Sequence, residues 1–168
     1  ENFGVVERNG QLEPLRDRYG LSKVDRGILE NWVLESSDKL RTNPQFNHTL
    51  NRLLPYQGVV YRGTTVPVAV ANQLLYSKGK PFAIDRHFSS SRKRDIASGF
   101  IEMGDQDTEV PVLFKVVSRT GKSIPPTIPG AGEQEVVLTK GSRYLVSKVA
   151  YARERGVPYL SVEMKELK

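Results

Sequence analysis

Apolar residues at helical spacing dominate the first part of the chain. Between residues 24 and 40 they recur every three or four positions, which predicts an amphipathic helix that Pro44 terminates. Similar spacing predicts a second helix over 45–54 and a third over 67–76. Residues 1–20 are polar and rich in Gly and Asn, so we expect a flexible lead-in there.

Strand-type patterns fill most of the remaining sequence. Residues 58–63 and 82–91 are rich in β-formers, and a short helix is predicted near 93–103. Further strands are predicted over 110–118, 122–124, 134–139, 143–150 and 157–165. Helices in the first half and strands in the second predict an α+β fold, with one domain over residues 21–168.

Composition excludes several kinds of site. The 168-residue chain has no cysteine, which excludes disulfides, a thiol nucleophile and most structural zinc sites. His48 and His87 lack ligand-like spacing, so we expect neither a metal site nor a Ser-His-Asp triad. No apolar run approaches the ~20 residues of a membrane-spanning helix. The start at Glu1 shows no signal-peptide pattern, and we expect a piece of a longer chain.

The charge balance favours an acidic partner. The formal net charge is +6 and the isoelectric point is about 9.6. However, the densest basic cluster, Arg92-Lys93-Arg94, is short and has no interleaved aromatic residues. Nucleic-acid binding is therefore compatible with the sequence but is not indicated by it.

Two glutamates stand together before an apolar run. Glu133 and Glu135 flank Gln134 and precede Val136, Val137 and Leu138, so a strand would direct both carboxylates to one face. Like charges held close together raise one pKa, which suits a general base or the stabilisation of a cation. Two solvated glutamates at a strand end are the plainer interpretation.

Two earlier features give the glutamates a context. Arg62 ends a strand-like run before Gly63, and a serine triplet follows at Ser89-Ser90-Ser91. Each feature alone has a plain interpretation, as a rim charge or a loop. Arranged in this order with the glutamates, they resemble the arginine–serine–glutamate class of mono-ADP-ribosyltransferases, which includes the cholera-type and binary actin-modifying toxins.

The spacing around the serines extends the resemblance. Phe88 precedes Ser89, and Ala97 and Phe100 stand where that class has an alanine and a phenylalanine. The likeness covers about residues 24–150. It implies a single-domain fold with N-terminal helices and a mixed two-sheet β core around an NAD cleft. NAD⁺ would be the co-substrate, and no metal is implied.

The resemblance also assigns roles to residues. Glu135 would bond the nicotinamide ribose and stabilise its developing positive charge, as glycosidase carboxylates do. Glu133 would orient and help deprotonate an acceptor arginine. Arg62 would bind phosphate. Ser89 would brace Glu135 and take part in NAD⁺ binding.

The remaining binding roles fall on smaller or apolar residues. Gly63 would let the backbone approach the nicotinamide amide closely, and Phe100 would stack on the nicotinamide ring. The loop over 125–132 takes the place of the target-recognition turn of this class. It lacks the aromatic residue that some relatives use there. Its candidate residues are Pro125, Ile128, Gly130 and Gly132.

The implied function is that of a bacterial toxin. The enzyme would cleave NAD⁺ and transfer ADP-ribose to arginine of a target protein, with NAD⁺ hydrolysis as a side activity. It would be secreted as part of a larger effector and act, as a monomer, in the cytoplasm of the target cell. The division protein FtsZ of rival bacteria is favoured over host actin or small GTPases, and an acidic immunity protein would suit the basic chain. Two alternatives remain open: the same fold acting on nucleic acid or another non-arginine acceptor, and an inactive binding module.

Overall fold

The described chain falls into two compact units. The computed structural model describes residues 5–14, 16–35, 43–99, 108–129 and 134–168. The first unit is formed by Glu1–Pro55 and Lys122–Gln134, and the second by Tyr56–Gly121 and Glu135–Lys168. One domain over residues 21–168 stays a prediction.

The first unit begins with a β-hairpin. Strands β1 (Val5–Arg8) and β2 (Gln11–Pro14) pair antiparallel. Asn9 and Gly10 connect them with positive φ angles of 50° and 77°, as a two-residue turn of this kind requires. The polar composition of residues 1–20 predicts a flexible lead-in, but the Asn-Gly turn allows this segment to pair with itself.

Two helices with explicit caps complete the described elements of this unit. Helix α1 (Lys23–Glu35) begins at a capping box, in which the Asp25 N–H donates to the Ser22 hydroxyl and the Ser22 N–H donates to the Asp25 carboxylate. Helix α2 (Pro44–Asn51) begins after Asn43, whose side chain accepts the N–H of Gln45. The predicted extension of α1 over residues 36–40 lies outside the described residues.

An aromatic pair forms the centre of this unit. Trp32 of α1 stacks on Phe46 of α2 with 4.8 Å between the ring centroids, and neither side chain is exposed. Such stacking adds to the free energy of burial. The helical periodicity of residues 24–40 therefore identifies the buried face of α1 correctly.

The second unit contains a seven-stranded sheet. Its strands are β3 (Pro55–Pro67), β4 (Pro81–Ala83), β5 (Phe88–Ser91), β6 (Glu109–Ser123), β7 (Glu135–Leu138), β8 (Arg143–Glu154) and β9 (Val157–Glu166). Their order is β3-β5-β7-β6-β9-β8-β4, and β3 also pairs with β6. Strands β6 and β9 are parallel, whereas β5 is antiparallel to both of its neighbours.

Alternating side chains give the sheet two apolar faces. Val112, Phe114 and Val116 of β6 lie in the main core, together with residues of the neighbouring strands and of helix α3 (Val68–Leu75). Leu113 points the other way and packs with Tyr159 and with Ala97 of helix α4 (Arg94–Ser98). The short helix α4 is thus held against the sheet directly after the serine strand.

Few helices and a strand-rich sheet confirm the predicted α+β class. The predicted strands over 110–118 and 122–124 form one strand, β6, while the predicted strand over 82–91 divides into β4 and β5. The polar part of β6 stays extended because the Ser118 hydroxyl donates to the Tyr56 carbonyl and accepts the N–H of Gly121. Within the described ranges, no helix has the length and apolar character needed to cross a membrane.

Candidate active site

Strand β5 lies between the two strands that carry the candidate arginine and glutamate. Ser91 is paired with Glu135 of β7 on one side and with Tyr61 of β3 on the other. The three residues therefore form one row across three adjacent strands. Glu135 is half-buried at the start of β7, ahead of the fully buried Val136 and Val137.

The serines of β5 make different contacts. The Ser90 hydroxyl donates to the Val136 carbonyl at 2.6 Å, which ties β5 to β7 on the face opposite Glu135. The Ser91 hydroxyl accepts the N–H of Lys93 at 3.0 Å, just before α4. Ser89 is paired with Val137, so it lies on the same face as Glu135, two positions along the ladder.

Arg62 is held against the serine strand by two contacts. Its guanidinium lies over the ring of Phe88, 4.7 Å from the centroid, and its Nη1 donates to the Ser89 carbonyl at 2.8 Å. A cation over a ring and a charged hydrogen bond together orient a planar guanidinium. Gly63, the next residue, is half-buried in β3.

An ion pair anchors the helix that follows the serines. Arg94 donates to both carboxylate oxygens of Glu154, at 2.7 and 3.5 Å, and to the Tyr159 hydroxyl at 3.3 Å. The hydrogen bond to Glu154 raises the pKa of Arg94 above its ordinary value. These contacts fix the start of α4 on strands β8 and β9. Phe100 follows α4 but lies outside the described residues.

A close approach between β6 and β7 fixes the strand that carries Glu135. A Cβ atom built on Gly121 would lie 2.6 Å from the Ser118 Oγ and 2.8 Å from a methyl carbon of Val136. Such distances are too short for any larger residue without a shift of the neighbours. Gly121 therefore allows the close packing of β6 against β7, which no local sequence pattern predicts.

Only part of the predicted recognition loop is described. Pro125 and Ile128 form a turn in which the Ile128 N–H donates to the Pro125 carbonyl at 3.1 Å. Both side chains are buried, Ile128 with 1% exposure, so in this conformation neither is presented to a target protein. Pro126, Thr127 and Pro129 are the exposed neighbours. Gly130, Gly132 and Glu133 lie outside the described residues.

The described part of the chain offers no obvious metal site. No three of its His, Cys, Asp and Glu residues come together as a group that could hold an ion. His87 is buried before β5, and its Nδ1 accepts the N–H of Lys140 at 3.0 Å. The contact ties the entrance of β5 to the turn after β7.

Solved structures of bacterial toxins share this fold. The Vis toxin, an ADP-ribosyltransferase from Vibrio splendidus, has a TM-score of 0.69 at 19% identity over 90% of this chain and 76% of its own. The C3 exoenzyme of Clostridium limosum has a TM-score of 0.64 at 16% identity, covering 90% of this chain and 88% of its own. Plx2a, an ADP-ribosyltransferase toxin from Paenibacillus larvae, has a TM-score of 0.61 at 16% identity, covering 88% of each chain.

Sequence comparisons add no closer relative. No protein-family model matches the chain, and no curated protein sequence matches it. The structural similarities show that the chain has the fold of the bacterial ADP-ribosyltransferase toxins. At these identities the likeness concerns the fold.

Proposed function

We propose that the chain is a mono-ADP-ribosyltransferase that cleaves NAD⁺ and transfers ADP-ribose to arginine of a target protein. One observation carries the proposal, namely that strand β5 contacts both candidate residues. Its Ser91 is paired with Glu135 of β7, and its Ser89 carbonyl accepts a hydrogen bond from the Arg62 guanidinium. The three features that are far apart in the sequence thus lie on adjacent strands, which supports the proposal. The NAD cleft between two sheets is part of this proposal.

Each residue has a role in the proposed reaction. The bond between nicotinamide and its ribose breaks, the nicotinamide nitrogen keeps the electron pair, and the anomeric carbon becomes cationic. Glu135 stabilises that cation and binds the ribose. Arg62 and Gly63 hold the phosphate and nicotinamide parts of NAD⁺, with Phe100 on the nicotinamide ring.

The acceptor is assigned to arginine through Glu133. A guanidinium is a poor nucleophile until a carboxylate orients it and accepts its proton. In the proposed transfer, an arginine nitrogen attacks the anomeric carbon and its proton passes to Glu133. A structure of the Vis enzyme in complex with agmatine supports this acceptor class, since agmatine carries the guanidinium of arginine.

The activity is tested by nicotinamide release from NAD⁺ by the purified chain, measured by chromatography. We expect release by the wild type and a loss of about 100-fold or more in Glu135→Gln, because the developing cation loses its counter-charge. Glu163→Gln is the matched control: Glu163 is also half-buried on a strand but pairs with Lys115 and Lys148. No release by the wild type, with any acceptor supplied, would refute the enzymatic function in favour of an inactive binding module.

The acceptor is tested separately. With NAD⁺ and agmatine we expect ADP-ribosylagmatine, and Glu133→Gln should lose this transfer while it keeps NAD⁺ hydrolysis. Equal loss of both activities would contradict the division of roles between Glu133 and Glu135. Labelling of RNA in place of agmatine would assign the enzyme to nucleic acid instead.

The biological setting extends the same proposal. The chain acts in the cytoplasm of a target cell after secretion within a larger bacterial effector, with FtsZ of rival bacteria favoured over host actin or small GTPases. An acidic immunity protein would protect the producer. The solved relatives include XopAI, a type III effector of Xanthomonas axonopodis, which supports delivery as an effector. Mass spectrometry of proteins modified after expression in bacterial and eukaryotic cells tests the target.

A further inference from the structure

A basic cleft of about 370 Å³ lies next to the C-terminal end of β7, whereas Glu135 stands at the N-terminal end of this strand. Three segments of the sheet form its wall. They contribute Arg119 and Thr120 of β6, Arg143 of β8 with the preceding Ser142, and Glu166 of β9 with the following Lys168. The cleft borders Thr139, which directly follows β7, whereas Glu135 opens that strand.

The polar groups of the wall are already bonded within the chain. The buried Glu166 carboxylate accepts the N–H of Arg119 at 2.8 Å, the N–H of Thr120 at 2.9 Å and the Thr120 hydroxyl. The Ser142 hydroxyl donates to the Thr139 carbonyl at 2.6 Å. The amides of Arg119 and Thr120 and the hydroxyls of Thr120 and Ser142 are therefore already engaged as donors.

The cationic side chains of the cleft, in contrast to these hydrogen-bonded groups, are not engaged in ion pairs within the described residues. Arg119, Arg143 and Lys168 are exposed, and none of them forms an ion pair with any residue in the described ranges. Glu166, the one acidic side chain among the described lining residues, faces the backbone amides of β6. Cationic side chains thus outnumber acidic ones in the cleft, on a protein whose net charge is +6.

The hydrogen-bond donors that remain available in the cleft determine which kind of anion it can bind. Protein sites for phosphate commonly use backbone N–H groups, and the amides of Arg119 and Thr120 are taken by Glu166. Binding of single-stranded nucleic acid uses exposed aromatic rings, but no aromatic residue lines the cleft and the nearby Tyr144 is fully buried. Guanidinium forks match the planar carboxylates of protein side chains as well as phosphate, so the engaged amides and the lack of a stacking ring are what favour an acidic protein segment.

We propose that the basic cleft is a docking surface for an acidic segment of a partner protein, whose carboxylates bind Arg119 and Arg143. Complementary charge at such a surface mainly increases the rate of encounter and excludes basic partners. The proposal does not depend on the transferase activity, because the cleft contains none of the residues assigned to NAD⁺.

Fluorescence anisotropy with a fluorescein-labelled hexaglutamate peptide tests this surface. We expect saturable binding that weakens about 5-fold in Arg119→Ala and in Arg143→Ala, as for a partly solvated charge pair, and further in Arg143→Glu. Arg153→Ala is the matched control, because Arg153 is an exposed arginine near the other end of the same strand, β8. It should bind the peptide as the wild type does.

Several outcomes would overturn the proposal. If Arg153→Ala weakened peptide binding equally, net charge alone would attract the peptide. Absence of peptide binding at low ionic strength would refute the docking surface. An oligothymidylate that binds more tightly than the peptide, with the same dependence on Arg119 and Arg143, would assign the cleft to nucleic acid. Circular dichroism of each variant verifies that a loss of binding is not a loss of fold.

Discussion

Ser91 and Glu135 are directly paired in the antiparallel ladder between β5 and β7. Side chains paired across a ladder lie close to one another on the same face. The Ser91 hydroxyl also accepts the Lys93 N–H, which connects the serine strand with the start of α4. The catalytic role proposed for Glu135 thus depends on a residue that also positions the following helix.

Ser91→Ala should lower the kcat of nicotinamide release about 10-fold and change the KM for NAD⁺ little, since a small displacement of the carboxylate affects the reacting atoms. Ser90→Ala provides the contrast. It removes the donor to the Val136 carbonyl, so it should lower the free energy of unfolding by about 1 kcal/mol and retain kcat. Steady-state kinetics measure the loss of kcat in Ser91→Ala, and thermal melts measure the loss of stability in Ser90→Ala. Equal kcat values for Ser91→Ala and the wild type would contradict the role of Ser91 in positioning Glu135.

Arg62→Lys should raise the KM for NAD⁺ about 10-fold, because a lysine keeps the charge but loses the planar fork that binds phosphate. It also loses the oriented stacking on Phe88. Arg18→Lys is the matched control, since Arg18 belongs to the other compact unit and likewise lies over an aromatic ring, that of Tyr19 at 4.9 Å. Titration of NAD⁺ in the nicotinamide-release assay measures the KM of both variants. An unchanged KM in Arg62→Lys would contradict a role of Arg62 in NAD⁺ binding.

Gly121→Ala should destabilise the sheet by about 1–3 kcal/mol and lower kcat, because the added methyl collides with Ser118 and Val136 and displaces the strand of Glu135. Gly27→Ala is the control, because a Cβ at this helical position meets no atom within 4 Å. That variant should be stabilised by up to about 1 kcal/mol. Chemical denaturation followed by circular dichroism compares them, and wild-type stability and activity in Gly121→Ala would refute the steric argument.

Local patterns were sufficient for much of the fold. The helical spacing of residues 24–40 identifies the buried face of α1, and the apolar run after Glu135 identifies β7. The Asn9-Gly10 turn was also readable from the sequence, but the polar composition around it favoured a flexible segment. Period-two alternation likewise indicates that Ser91 shares the face of Ser89.

Other features depend on contacts between segments that are distant in the sequence. The need for glycine at position 121 follows from the approach of β6 to Val136, which no local pattern records. Burial of Ile128 is similar, because a Pro/Gly-rich loop gives no sign that one of its apolar residues turns inward. The pairing of Ser91 with Glu135 required the register between two strands.

The buried carboxylate of Asp25 makes the stability of the first unit depend on pH. Burial alone would raise the pKa of Asp25, but hydrogen bonds from Ser22 and Thr49 and the charge of Arg52 lower it overall. The carboxylate therefore stabilises the fold above its unfolded-state pKa of about 4, and this contribution is lost as the pH falls through the lower folded-state pKa. Asp25→Asn should cost about 2 kcal/mol at pH 7 and progressively less below pH 4. Urea unfolding followed by Trp32 fluorescence measures this, and a difference between the two proteins that does not shrink as the pH falls below about 4 would contradict it.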